Sequence, residues 1–242
     1  PEVFYVDRED TSTALWATEE HKQGMFYIQE VAASHPPIIL RHCLKMQESG
    51  VRSQESDEQA WCLIPNSWFL ILDMCSSPGG KTTQLAEYFP DSLIIANETD
   101  KKRLPQLYEN LDRMDHPNIC VTNYDGRYYQ HFPEMFDAIL LDAPCSGEGC
   151  AFKTPEALRN WHIKNIRRIA KLQYQLFLTA YHALKPWGLL MYSTCTLNEE
   201  ENEGVVAKAL KKIQSLKFKV QNDEEKHSEF WILNSEFLEP LG

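Results

Sequence analysis

Five apolar runs recur along the chain with helical patterns between them: WFLILDM at 68–74, LIIANE at 93–98, NICVTNY at 118–124, FDAILLD at 136–142 and GLLMYST at 188–194. Runs rich in Ile, Leu and Val without strict alternation fit strands covered on both faces. The segments 81–89, 101–114 and 155–184 predict helices; in the last, Trp161, Ile166, Ile169, Leu172, Leu176 and Phe177 recur at helical spacing. The alternation predicts an α/β fold with a doubly wound, mostly parallel sheet. In such sheets ligands sit at the carboxyl ends of the strands, so those ends are where chemistry is expected.

Two segments flank this pattern. Residues 25–44 open with MFYIQE and predict a helix despite Pro36 and Pro37, whereas QESGVRSQESDEQ at 47–59 is almost free of apolar residues and predicts a mobile loop. The expected division is therefore a flanking segment, 1–67, and a core, 68–242. After Asn198 comes an acidic helix start and a last helix to about Ile213; FKV at 218–220 and FWIL at 230–233 are candidate edge strands.

Composition narrows the class. The 242 residues carry a net charge of -11, which suits a cytosolic enzyme and counts against holding nucleic acid by bulk charge. No run reaches the roughly 18 apolar residues of a membrane span. Seven scattered cysteines, with no CxxC pair, argue for a reducing compartment and against both a disulfide framework and a zinc site. The expected location is the cytoplasm, or the nucleus in a eukaryote. A chain that starts at Pro1 is expected to be a fragment or a processed product.

The strand ends carry the candidate chemistry. The first runs into DMCSSPGGKTT, whose Gly80-Lys81-Thr82 could close a phosphate loop, but Cys75 stands where the Walker pattern needs glycine. A glycine pair at a helix start instead suits close approach of a nucleotide-like ligand to the backbone. Glu98, 18 residues beyond Gly80, stands where an acid can accept from ribose hydroxyls. Asp125 and Asp142 end or follow the next two strands, and Cys145 and Cys195 lie just past the fourth and fifth. Two cysteines at matching strand ends suggest a reactive role.

The combination PGGKTTQLAE, NE at 97–98, DGR, LLDAPCSGEG and YSTCTLNEEENE resembles the RNA cytosine-5 methyltransferases of the Sun/NSUN family, most of all its bacterial members acting on 16S ribosomal RNA. The likeness extends over residues 20–210. It implies a Rossmann-like, S-adenosylmethionine-dependent methyltransferase core. By motif match, Cys75, Ser76, Ser77, Pro78, Gly79, Gly80 and Lys81 form the loop around the methionine part of the cofactor. Glu98 is similar to the ribose acid, Asp125 to the acid near adenine, and Asp142 to the acid between cofactor and target base. Cys195 of the TC motif corresponds to the nucleophile and Cys145 of the PC motif to the thiol that helps release product; no metal is implied. Where the family commonly has Ala-Pro-Gly this chain has Ser77-Pro78-Gly79.

RNA is the implied partner, ribosomal RNA first and transfer RNA as the alternative. Within 152–172, Lys153, Arg159, Lys164, Arg167, Arg168 and Lys171 face only Glu156, a basic island directly after the Cys145 loop; Lys153, Arg159 and Lys164 are the candidate RNA contacts. No RNA-binding module is recognisable beside the core, so a further domain or protein partner is expected. The rival readings are a non-catalytic RNA-binding scaffold on this fold, a methyltransferase for DNA or a small molecule, and a nucleotide hydrolase.

Overall fold

A computed structural model describes residues 14–28, 31–49, 68–151, 161–219 and 230–232. The chain forms two compact units that divide between Tyr124 and Asp125.

The first unit holds a short helix α1 (Glu19–Lys22), α2 (Val31–Ser49), β1 (Leu70–Asp73), α3 (Gly80–Tyr88), β2 (Leu93–Asn97), α4 (Leu104–Met114) and β3 (Ile119–Thr122). Its strands run in the order β3-β2-β1, with both pairings parallel. Parallel neighbours require a crossover, and α3 and α4 supply it. Ile71, Leu72 and Ile94 are fully buried, as the lack of alternation predicts, and Leu85 of α3 and Leu107 of α4 are equally buried. Each such side chain contributes about 1.5–3 kcal/mol. Pro105 sits in the first turn of α4, where a missing N–H costs little, and Asp115 closes that helix in the left-handed region at φ 50°.

Helix α2 corrects the expectation for the flank. Residues 25–28 are not helical, the helix starts at Val31, and it continues through 47–49, which the polar composition had assigned to a loop; residues 50–59 lie outside the described set. It passes over Pro36 and Pro37 and rests on α3, where Gln84 Nε2 donates to Ser34 O at 3.1 Å and the Arg41 guanidinium lies 4.7 Å from the Tyr88 ring centre.

The second unit holds β4 (Phe136–Asp142), α5 (Ile163–Ala183), β5 (Leu184–Ser193), α6 (Glu203–Lys219) and β6 (Phe230–Ile232), in the order β4-β5-β6, again all parallel. Ile139, Leu140, Leu141, Phe177 and Leu190 form its core. Four corrections belong here. Strand β5 begins at Leu184 instead of Gly188; its pairing with β4 breaks between Phe136↔Leu184 and Ala138↔Leu189, and Trp187 takes φ 68° in the irregular stretch. A Cβ on Gly188 would come 3.0 Å from Asp137 O and Lys185 O, tighter than ordinary contact, which favours glycine at the bend. Trp161 precedes α5 instead of lying within it, because the helix starts at Ile163 with His162 as its cap. The acidic run after Asn198 is a loop and α6 starts at Glu203; the same helix includes Phe218 and Lys219, which removes the FKV strand. FWIL is a strand over Phe230–Ile232. Among the described residues no helix is long and apolar enough to cross a membrane.

Candidate active site

In the second unit β4 and β5 run side by side with Asp142 opposite Ser193, so the two loops that follow leave the sheet at one level. Ala143 N–H donates to Ser193 O at 2.8 Å and carries the ladder one residue further. Cys145, three residues past β4, and Cys195, two past β5, then meet, with their Sγ atoms 2.9 Å apart. Cys145 is half-buried and Cys195 exposed. Gly149 completes the clasp by donating its N–H to Cys195 O at 2.9 Å; a Cβ there would sit 2.7 Å from that oxygen, so any side chain forces the loops apart.

Electrostatics act on the Cys145 sulfur. The Cys195 S–H hydrogen bond holds the Cys145 thiol below the ordinary cysteine range; burial opposes it, the backbone N–H groups of Cys195 and Gly147 assist, and the Glu201 carboxylate opposes. The Cys195 N–H lies 3.4 Å from Cys145 Sγ. Cys145 therefore ionises more readily than an ordinary cysteine.

Behind the thiols lies a buried polar network that the sequence did not reveal. Glu201, fully buried, accepts from Ser146 N and Gln173 Nε2, each at 2.9 Å, through Oε2. Its backbone carbonyl accepts from Tyr192 Oη at 2.7 Å, and burial, then the Glu201 and Cys145 charges, push the Tyr192 phenol far up. Ser146 Oγ and Thr196 Oγ1 are 2.8 Å apart, tying the Cys145 loop to the Cys195 loop. Asn198 Nδ2 lies 2.7 Å from Thr196 Oγ1, 2.8 Å from Glu201 Oε1 and 3.0 Å from Glu148 Oε1, so its two hydrogens are shared among acceptors on both loops. Asp142 receives the Ser193 hydroxyl at 2.8 Å, which fixes the carboxylate at the strand end.

The first unit builds the other predicted loop. Ser76 donates its N–H to Asn97 O at 2.8 Å and its hydroxyl to Asp73 O at 2.9 Å, anchoring the loop to two strand ends. Gly79 takes φ 107° as the residue before α3, a region that favours glycine. Arg103, which the sequence did not single out, bridges the loop to Glu98: Nη2 donates to Ser77 O at 2.5 Å and Nη1 lies 3.3 Å from Glu98 Oε2. Glu98 is buried, and its Oε1 accepts from Asp100 N at 2.8 Å. Its Oε2 accepts no hydrogen bond among the described residues, since the Arg103 contact is an ion pair off hydrogen-bond geometry. A buried carboxylate oxygen with spare capacity suits a ligand hydroxyl. Thr82, where a Walker loop would present a magnesium ligand, is buried and donates to Asp73 Oδ2 at 2.6 Å instead.

The sequence of the family described as 16S rRNA methyltransferase RsmB/F matches residues 60–232. The chain belongs to this family. It is 42% identical over 211 residues to ribosomal RNA small subunit methyltransferase F of Aeromonas hydrophila, covering 86% of this chain and 40% of that one. The corresponding protein of Escherichia fergusonii is 42% identical over 207 residues, covering 84% and 39%. The chain thus spans about 40% of the length of these curated relatives. Among solved structures it resembles NSun6 from Pyrococcus horikoshii with SFG (TM-score 0.65, 30% identity, 83% of this chain and 46% of that one) and a methyltransferase homologue from the same organism (TM-score 0.64, 31% identity, 83% and 56%). The fold is the Rossmann-like methyltransferase fold.

Within this RsmB/F chain the predicted residues fall into groups. Cys145, Cys195 and Asp142 gather at the ends of β4 and β5, and the 75–81 loop is joined to Glu98 through Arg103. Asp125 is held by its neighbour: Arg127 Nη2 donates to Oδ2 at 2.5 Å and Arg127 Nε to Oδ1 at 2.9 Å, which keeps the carboxylate below its usual range. Lys164 is exposed in the first turn of α5, while Lys153 and Arg159 lie outside the described residues. Among the described residues no group of three His, Cys, Asp or Glu side chains is placed to hold a metal ion.

Proposed function

We propose that this chain is the catalytic core, from residue 68 onward, of an RNA cytosine-5 methyltransferase that uses S-adenosylmethionine and acts on ribosomal RNA. The observation that carries the reading is the 2.9 Å contact between Cys145 and Cys195 on adjoining strand-end loops, in a chain of this family. In the first unit, Cys75, Ser76, Ser77, Pro78, Gly79, Gly80 and Lys81 hold the methionine part of the cofactor, and the spare oxygen of Glu98 accepts from a ribose hydroxyl. In the second, Asp125 serves the adenine. Bound there, S-adenosylmethionine supplies an electrophilic methyl group from its sulfonium.

The chain's own residues handle the base and its protons. Cytosine C5 is a poor nucleophile until a thiolate adds at C6. Cys195 makes that bond once its exposed thiol has given its proton to water, with Cys145 Sγ 2.9 Å away. Asp142, held by Ser193, hydrogen-bonds N3 and the amino group and stabilises the charge that builds on the ring. Once C5 is methylated, Cys145, having released its first proton to water, removes the C5 proton, and the electron pair expels Cys195. The net change is one methyl gained and one proton lost by the base. An unpaired or flipped cytosine is the substrate, since the reacting carbons must reach the thiols. Such a protein acts where ribosomal RNA is assembled, the cytoplasm in a bacterium, with Lys153, Arg159 and Lys164 on the phosphates. Mass spectrometry of RNA incubated with the protein and the methyl donor tests the reading. It expects 5-methylcytidine with the wild type and none with Cys195→Ala; methyl transfer to DNA alone would overturn it.

A further inference from the structure

Trp161 is not part of the thiol machinery, yet it is tied to it. Its indole Nε1 donates to Glu148 Oε1. The same carboxylate lies 3.3 Å from the Leu197 N–H through Oε2 and 3.0 Å from Asn198 Nδ2 through Oε1, so Glu148 links Trp161 to both loops that carry the cysteines. The ring is thus fixed at its one polar edge while half of its surface, 50%, stays in solvent. A freely exposed tryptophan has no reason to be held, and a structural one is usually covered.

Two residues on, α5 begins and presents cations on one face. Lys164, Arg168 and Lys171 recur at i, i+4 and i+7 and are all exposed, whereas Arg167 faces Glu200 at 3.5 Å. An anchored aromatic beside a reactive centre, continuing into a basic stripe, is the combination that holds single-stranded nucleic acid: a base stacks on the ring and its phosphates follow the cations. We infer that Trp161 is a positioning residue on which an unpaired base flanking the target cytosine stacks, with Glu148 setting the ring's orientation. This rests on the RNA methyltransferase reading. It adds a specificity element, because a strand whose flanking base is paired cannot stack there.

The test is binding of a fluorescein-labelled single-stranded RNA containing one cytosine, run beside methyl transfer with the same proteins. Trp161→Ala is expected to weaken RNA binding about tenfold and to raise the RNA KM to a similar extent, while the KM for the methyl donor stays within about twofold. Trp161→Phe, which keeps an aromatic face and loses the N–H that Glu148 holds, is expected to fall between wild type and Trp161→Ala. The inference is overturned if Trp161→Ala binds RNA as well as wild type, if Trp161→Phe is as impaired as Trp161→Ala, or if the wild type binds no RNA. Wild-type protein that binds RNA through Trp161 but transfers no methyl group would sustain the stacking site and sink the proposed reaction, so the two failures are distinguishable.

Discussion

Cys145 Sγ stands 2.9 Å from Cys195 Sγ, and the hydrogen bond between them makes Cys145 more acidic than an ordinary cysteine. Alkylation follows the thiolate. Iodoacetamide should therefore label Cys145 with a pH midpoint below that of an ordinary thiol, because the lowered group stays ionised as pH falls. Cys195→Ala removes the largest lowering influence, so the midpoint should rise; Cys195→Ser, which keeps a hydroxyl donor, should hold it down. Peptide mass spectrometry across neutral to alkaline pH reads this, and an unchanged midpoint in Cys195→Ala contradicts it.

Glu201 holds the clasp from behind. Removing its carboxylate leaves the half-buried Ser146 N–H without its acceptor and the buried Gln173 amide, which keeps only Pro144 O, with one N–H unmet, each costing about 1–3 kcal/mol. Glu201→Ala is expected to lose about 3 kcal/mol or more in denaturant unfolding, against about 0.5 kcal/mol or less for the exposed neighbour Glu199→Ala. Equal stability of the two variants would show that the network does not hold the loops.

Glu98 tests the cofactor assignment separately from RNA. Calorimetric titration with S-adenosylmethionine should show Glu98→Ala binding about tenfold to a hundredfold more weakly, as expected for loss of charge-assisted hydrogen bonds. RNA binding should be unaffected. Cofactor affinity equal to wild type would remove Glu98 from the site.

Much of this was legible in the sequence because the physics was local. Strands buried on both faces read as continuous apolar runs, and β1, β2, β3 and β4 lie inside the runs that predicted them. The strand-end rule located Cys145, Cys195 and Asp142 before any geometry. What stayed hidden depends on tertiary contact. In Asn198-Glu199-Glu200-Glu201 nothing local marks Glu201 as the glutamate that turns inward, and the run read as an acidic helix start. Nothing in the local sequence marks Arg103, whose guanidinium spans from Ser77 O to Glu98. Trp161 fitted the helical period of the segment that follows, and only the partner of its N–H shows that it belongs to the thiol loops. Gly149 gave no turn signal, since its requirement is the Cys195 carbonyl 46 residues along the chain.

The division of labour between the thiols is tested most directly by trapping. If Cys195 forms the bond to the base and Cys145 is needed to release it, Cys145→Ala incubated with substrate RNA and S-adenosylmethionine should accumulate a protein–RNA adduct. That adduct would survive denaturing electrophoresis as a slow band, and it should vanish in the Cys145→Ala/Cys195→Ala double variant. A Cys145→Ala protein that releases its RNA as the wild type does, or an adduct that persists without Cys195, would contradict the account.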